Sequence, residues 1–106
     1  MFKTTTNKPA DFSRIVTAMH YVYYLINDAG GFHYVGVAGD LKVRVAEHNK
    51  GVVESTRPYI PLKLVYYEAY LSERDALGRE YKLKHHGSAI GHLKKRLKDS
   101  LALAES

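Results

Sequence analysis

Five polar residues of this chain have side chains suited to catalysis, at spacings that secondary structure alone does not require. Two tyrosines, Tyr23 and Tyr34, stand in separate apolar runs. Arg44 and His48 follow four positions apart on a predicted helix, so they share one helical face. Glu80 is a lone carboxylate with apolar neighbours. Phenols, a guanidinium, an imidazole and a carboxylate form a plausible set for cleaving phosphodiesters.

Glu80 is the most unusual of the five. Its apolar neighbours Ala76, Leu77 and Leu83 place it on or beside the buried stripe of its predicted helix, where an unpaired carboxylate is costly. Glu80 therefore lies at the solvent-exposed rim of the apolar stripe, forms an ion pair with a nearby arginine or lysine, or binds a metal ion. Magnesium keeps several waters and commonly binds one or two carboxylates plus substrate phosphates, so one glutamate in a basic site is sufficient.

The other four residues each have an ordinary and a functional interpretation. Arg44 is either a surface residue or a donor to a phosphate oxygen as charge builds in the transition state. His48 is either a partly buried histidine or a group that positions or deprotonates water. Tyr23 and Tyr34 are either core residues or acid-base groups, and a phenol becomes a useful base only when cationic neighbours lower its pKa.

A β-hairpin and a helix would position the first four residues. Aromatic and β-branched runs predict strands over residues 21–26 and 32–38, joined by the turn formers of residues 27–31. Asp40 is the predicted N-cap of a helix over residues 41–49, and Gly51 ends it. A surface loop over residues 50–61 then leads to a third strand over residues 62–70.

Two helices complete the predicted domain. Ser72 and Asp75 form a capping box for a helix over residues 73–86, with Gly87 as its stop. The predicted order is β-β-α-β-α-α: an α/β fold with a small, three-stranded, mainly antiparallel sheet flanked by helices. The last helix begins after Ser88, and its inward stripe consists of Ile90, Leu93, Leu97 and Leu101.

The length of 106 residues indicates one domain with a core of its own. We predict this domain over residues 20–103, preceded by a flexible polar arm over residues 1–19.

Cysteine is absent, which excludes disulfides and thiolate zinc sites. The start of the chain has no apolar run long enough for a signal peptide or a membrane span, so we expect a cytoplasmic protein without a membrane partner.

The charge of the chain favours an anionic partner such as nucleic acid. Sixteen Lys and Arg against eleven Asp and Glu give a net charge of +5 and a pI of about 9.4. Much of the positive charge lies in the last quarter of the chain, where it forms either a solvated helix face or a surface that binds nucleic-acid phosphates without sequence specificity. The candidate nucleic-acid contacts are Lys42, Lys82, Lys84, Lys94, Lys95 and Lys98.

Two motifs and two longer segments resemble the GIY-YIG nuclease superfamily, which includes the N-terminal nuclease domain of a bacterial excinuclease and small stand-alone bacterial domains. Tyr21-Val22-Tyr23 stands at the first motif, with tyrosine where glycine is usual, and Tyr34-Val35-Gly36 stands at the second. The segments YVGVAGDLKVRVAEHNKG and RPYIPLKLVYYEAYLSERDALGREYKLK are similar to the rest of the family's core. The resemblance covers roughly residues 20 to 85.

The resemblance implies hydrolysis of DNA phosphodiesters, in repair, recombination or processing. Tyr23 would activate water with help from Tyr34 and His48, while Arg44 stabilises developing charge. Glu80 would hold one divalent cation, Mg²⁺ or Mn²⁺. Two points stay open: His48 is the alternative base, and Tyr24 is the alternative first tyrosine.

Two other functions fit the same residues. One is a nucleic-acid-binding module that holds DNA or RNA without cutting it, and the other is an interaction domain whose basic face binds an acidic protein. Competent residue types at all five positions favour the enzyme. The chain resembles no separate DNA-reading module, so selectivity would come from substrate shape, the polar arm or a protein partner.

Overall fold

The structure, a computed structural model, describes residues 19–27 and 29–105, so the predicted arm over residues 1–19 lies almost entirely outside the described residues. Over the described ranges, three strands and four helices follow in the order β-β-α-β-α-α-α, which confirms the predicted α/β class. A 3₁₀ turn, Arg57–Tyr59, lies between the first helix and the third strand. The elements are β1 (His20–Asn27), β2 (His33–Ala38), α1 (Leu41–Asn49), β3 (Leu62–Tyr70), α2 (Glu73–His85), α3 (Gly87–Arg96) and α4 (Lys98–Glu105).

The sheet has the order β2-β1-β3, and both strand pairs are antiparallel. The central strand β1 is buried on both faces, which explains its continuous apolar and aromatic run. Because side chains alternate along a strand, Tyr23 and Leu25 face one side, and Val22, Tyr24 and Ile26 face the other.

The two faces of the sheet are covered unequally. Val22, Tyr24 and Ile26 pack in the larger core, with buried residues of α2 and α3. On the opposite face, Tyr23 and Leu25 pack in a smaller cluster to which α1 contributes apolar side chains. Helix α1 therefore brings its own polar residues to the side of the sheet where Tyr23 lies.

Both predicted N-caps begin their helices as expected. The Asp40 carboxylate accepts a hydrogen bond from the Val43 amide at 3.1 Å, and the Ser72 hydroxyl accepts one from the Asp75 amide at 3.3 Å. Each cap satisfies an amide that has no partner within its helix. Among the described helices, none is both long and apolar enough to cross a membrane.

The prediction of one last helix was wrong, because the chain forms two helices with Leu97 between them. Leu97 leaves helical geometry at φ −98 and ψ 17, and its amide bonds to the carbonyls of both Leu93 and Lys94. The apolar stripe still packs across this break, so the hydrophobic period alone did not reveal it. Gly87, predicted as a stop, instead begins α3 after His86.

Glu68 on β3 fixes how α2 lies against the sheet. Its carboxylate accepts hydrogen bonds from Tyr66 at 2.7 Å, from Tyr70, and from Arg79 of α2 at 3.0 Å to both oxygens. Although burial acts to raise the pKa of Glu68, these hydrogen bonds lower it below its ordinary value, so the ion pair persists. Arg79 directly precedes Glu80 on α2. The Glu68–Arg79 ion pair therefore also helps to orient the part of α2 that carries Glu80.

Candidate active site

Tyr23 and His48 form the centre of the site. The Tyr23 hydroxyl lies 2.8 Å from His48 Nε2, and the two side chains are only 1% and 0% exposed. The ring of Tyr34 packs beside both, with its centroid 6.2 Å from that of Tyr23 and 5.0 Å from that of His48. Strands β1 and β2 and helix α1 thus bring three predicted site residues into one cluster.

Gly36 allows Tyr23 to occupy this position. It lies directly opposite Tyr23 in the β1–β2 register, and an added Cβ would lie 2.5 Å from the Tyr23 hydroxyl oxygen. No carbon atom can approach an oxygen so closely, and the Tyr23 ring has no free space because it is buried and bonded to His48. The glycine of the second motif is therefore required by close approach inside a strand.

We expect Gly36→Ala to lower the free energy of unfolding by about 1–3 kcal/mol, because the new methyl group displaces the Tyr23 ring from a packed site. Urea unfolding followed by circular dichroism measures this change. Gly39→Ala is the matched control, since a Cβ at Gly39 meets no other atom within 4 Å. Equal stability of the two variants would contradict the steric argument.

Arg44 lies between the buried tyrosine and the surface. Its guanidinium pairs with Glu47 Oε1 at 3.0 Å and is near enough to the Tyr23 hydroxyl to interact with it. Its hydrogen bonds to Tyr23 and then to Glu47 raise the pKa of Arg44, so it stays charged. The Arg44 side chain is partly exposed, and it can therefore bind an anionic oxygen that approaches the cluster.

Burial controls the protonation of the cluster at neutral pH. It raises the pKa of Tyr23 to about 12, although the hydrogen bond with Arg44 acts in the opposite direction. Burial and then the charge of Arg44 lower the pKa of His48. Tyr23 is thus a neutral phenol and His48 a neutral imidazole. The expectation that cationic neighbours would lower the Tyr23 pKa was correct for the effect of Arg44, but desolvation outweighs it.

Thr56 is a site residue that the sequence did not predict. Its Oγ1 lies 2.7 Å from His48 Nδ1, and its side chain is 0% exposed. Residues 50–61 were predicted to form a surface loop, and a threonine in a polar loop carries no signal that it is buried. Hydrogen bonds thus connect three buried polar side chains in the order Thr56, His48, Tyr23.

Glu80 lies on α2 and is connected to the cluster through Lys84. Its side chain is 22% exposed, and its carboxylate lies 3.2 Å from the ammonium group of Lys84. That ammonium also lies 5.5 Å from the centroid of the Tyr34 ring. Glu80 is therefore in an ion pair, as its ordinary interpretation expected, but the pair is beside the aromatic cluster rather than on a distant face.

The two tyrosines that follow each other in β1 have different surroundings. Tyr24 packs on the opposite face of the sheet from Tyr23, and its hydroxyl lies 2.5 Å from His33 Nδ1. It has no place in the cluster around His48. The geometry thus favours Tyr23 over Tyr24 as the first tyrosine of the site.

The lysines predicted to contact nucleic acid are all exposed. Lys84 contacts the Tyr34 ring of the cluster, while Lys42 lies on α1, two positions before Arg44. The other four lie on α2, α3 and α4. These four are Lys82, Lys94, Lys95 and Lys98. The contact of all six lysines with nucleic acid stays a prediction.

A metal ion at this site would depend on Glu80. Within residues 19–27 and 29–105, no group of three or more His, Asp or Glu side chains could hold one. The partly exposed Glu80 side chain offers one carboxylate of the kind that Mg²⁺ accepts, and water and a substrate phosphate would supply the other oxygen ligands. The donor set therefore fits a hard divalent cation shared between protein, water and substrate.

Comparison with known proteins adds a family match to this geometry. A family model described as the GIY-YIG catalytic domain matches residues 19–96, which include all five predicted catalytic residues and Thr56. A UPF0213 protein of Lacticaseibacillus paracasei is 38% identical over 66 residues, or 61% of this chain and 74% of the relative. A UPF0213 protein of Staphylococcus aureus is 39% identical over 66 residues, covering 61% and 79%. No solved structure gives a significant match.

Proposed function

Because this chain belongs to the GIY-YIG family, we propose that it is a DNA endonuclease that requires a divalent cation. The family consists of nucleases that generally use divalent metal ions. One observation carries the proposal for this chain: the Tyr23 hydroxyl is bonded to His48 and lies beside Arg44, a charged group open to solvent. A merely structural tyrosine does not need an arginine at its hydroxyl.

Arg44 and Tyr23 have complementary roles in the proposed reaction. Arg44 binds a phosphate oxygen and stabilises the charge that builds on it in the transition state. The proposed reaction requires that the hydroxyl of Tyr23, a residue that is 1% exposed in this structure, becomes accessible to the attacking water when Arg44 turns toward the phosphate. Both ring nitrogens of His48 are already bonded, to Tyr23 and Thr56, so His48 does not meet water directly. Tyr23 is therefore the proposed base.

Glu80 is the proposed ligand of the divalent cation, Mg²⁺ or Mn²⁺. When bound, the cation supplies Lewis-acid stabilisation of the phosphate and the leaving oxygen. Lys84 pairs with Glu80 and lies 5.5 Å from the centroid of the Tyr34 ring, and its proposed role is to bind a phosphate of the same strand. We propose that this activity serves DNA repair, recombination or processing, with specificity supplied by substrate shape or a protein partner.

Nicking of supercoiled plasmid tests the proposed function. We expect the protein with Mg²⁺ or Mn²⁺ to convert supercoiled DNA to the open circle. Excess EDTA should stop the reaction, and renewed Mg²⁺ should restore it. DNA binding should weaken between low and physiological salt, because phosphate contacts release counterions.

A different result would support the alternative function. If the protein binds DNA with the expected salt dependence but never nicks it with either metal, it is a nucleic-acid-binding module on the same fold. Binding that does not respond to salt would contradict both nucleic-acid functions.

A further inference from the structure

Three buried polar side chains lie in a row beneath the site. Thr56 Oγ1 is 2.7 Å from His48 Nδ1, and His48 Nε2 is 2.8 Å from the Tyr23 hydroxyl. All three are at most 1% exposed, so water does not compete for these bonds. Because buried polar groups must be hydrogen-bonded, each of these two contacts needs one group that donates and one that accepts.

The backbone of the preceding loop holds Thr56 in place. Its amide donates to the Val53 carbonyl at 3.2 Å, and its own carbonyl accepts from Tyr59 at 3.0 Å across the 3₁₀ turn. Its hydroxyl is directed to the Val53 carbonyl as a donor at 3.5 Å. The lone pairs of Oγ1 are therefore free to accept a proton from the imidazole.

This arrangement favours one tautomer of His48. A neutral imidazole has one N–H group, and the hydrogen bond at one ring nitrogen sets the state of the other. If Nδ1–H donates to Thr56, Nε2 carries a lone pair and accepts the Tyr23 proton. The opposite tautomer would direct an N–H at the Tyr23 oxygen, and Nε2 could then not accept the Tyr23 proton.

We propose that Thr56 is a positioning residue that holds His48 in the Nδ1–H tautomer, so that Tyr23 can pass its proton to Nε2 while it deprotonates water. This role rests on the proposed nuclease function. The Tyr23 oxygen receives a proton from water as its own proton moves to His48, and the hydroxide bonds to phosphorus as the leaving P–O bond breaks. His48 becomes an imidazolium, and its proton then leaves through Tyr23 to the leaving oxygen or to solvent.

The relay explains how a buried phenol can act as a base. Burial raises the pKa of Tyr23 to about 12, so a free phenolate is scarce at neutral pH. The relay removes one proton from the oxygen as another arrives, and no phenolate accumulates. The titratable and charged groups around His48 are Tyr23 from β1, Tyr34 from β2, and Arg44 and Glu47 from α1.

Nitrogen NMR of the histidine ring tests the tautomer without any assay of cleavage. In the parent protein with ¹⁵N-labelled histidine, we expect His48 to show a protonated Nδ1 and an unprotonated Nε2 at neutral pH. In Thr56→Val, which removes the acceptor at nearly the same volume, the Nε2–H tautomer should gain population. In Thr56→Ser the parent pattern should return. A parent protein in the Nε2–H tautomer would overturn the proposal.

Cleavage kinetics test the consequence for catalysis. Thr56→Val should lower kcat about 100-fold, at the lower end of what general acid-base catalysis contributes, with KM for DNA unchanged. Thr56→Ser should remain within about threefold of the parent, because it keeps the hydroxyl. A Thr56→Val protein that is folded and cleaves at the parental kcat would overturn the role.

The two measurements separate this inference from the proposed function. If the parent does not cleave DNA, the nuclease proposal fails, and the NMR tautomer still shows whether Thr56 orients His48. If Thr56→Val does not fold, the tautomer of the parent and of Thr56→Ser still decides the question. If the parent cleaves but has the Nε2–H tautomer, the function holds and the inference fails.

Discussion

Glu80→Gln is expected to lower the rate of plasmid nicking about 10³-fold or more at saturating Mg²⁺. The amide has the shape of the carboxylate but no charge, and it is a poor ligand for a hard cation. Within the described ranges, no group of three or more His, Asp or Glu side chains could hold a metal ion independently of Glu80. Loss of the cation removes several kcal/mol of charge stabilisation at the phosphate.

DNA binding and stability should change little in Glu80→Gln. Its ion pair with Lys84 is a partly exposed i,i+4 pair, and such pairs contribute about 0.5 kcal/mol or less. Glu73→Gln is the matched control, because Glu73 is an exposed glutamate on the same helix. Nicking by Glu80→Gln at the parental rate over the same Mg²⁺ series would show that Glu80 is not the metal ligand.

Tyr23→Phe is expected to lower kcat for nicking about 10³-fold, within the range attributed to general base catalysis. The variant keeps the ring that packs against His48 and Tyr34 but removes the oxygen that is proposed to carry the proton between water and His48. It also leaves His48 Nε2 buried without a partner, which should cost about 1–3 kcal/mol of stability. Rates should be measured below the unfolding temperature of the variant.

Tyr24→Phe is the matched control for this substitution. It removes the neighbouring hydroxyl, which bonds to His33 on the opposite face of the sheet, so nicking should stay within a few-fold of the parent. If Tyr24→Phe were inactive and Tyr23→Phe active, the first tyrosine of the motif would be Tyr24. The pair therefore tests the register that the repeated tyrosines left open.

The proposed catalytic cluster and the proposed metal ligand belong to different parts of the fold. Tyr23, Tyr34 and His48 come from the hairpin and α1, whereas Glu80 comes from α2. The Glu68–Arg79 pair connects β3 to α2 one residue before Glu80. The separation between the carboxylate and the tyrosines is therefore set by the packing of α2 on the sheet.

Most of the secondary structure could be predicted from the sequence, because its determinants are local. The apolar runs predicted all three strands, and Asp40 and Ser72 predicted where two helices begin. The motif spacing also predicted the family, which the match over residues 19–96 confirmed. The break at Leu97 was not predictable from the stripe, because the leucines keep their spacing on both sides of it.

The site depends on contacts that only the tertiary structure decided. Tyr23 and Tyr24 are the same residue type and are equally buried. The alternation of side chains along a strand predicts that they face opposite sides of the sheet, but it does not predict which of them faces α1. Thr56 lies in a polar segment, and it became a partner of His48 only because that segment folds beneath α1. A sequence records periodicity and capping between near neighbours. The distance between groups on separate elements is set by how those elements pack, and local patterns do not encode it.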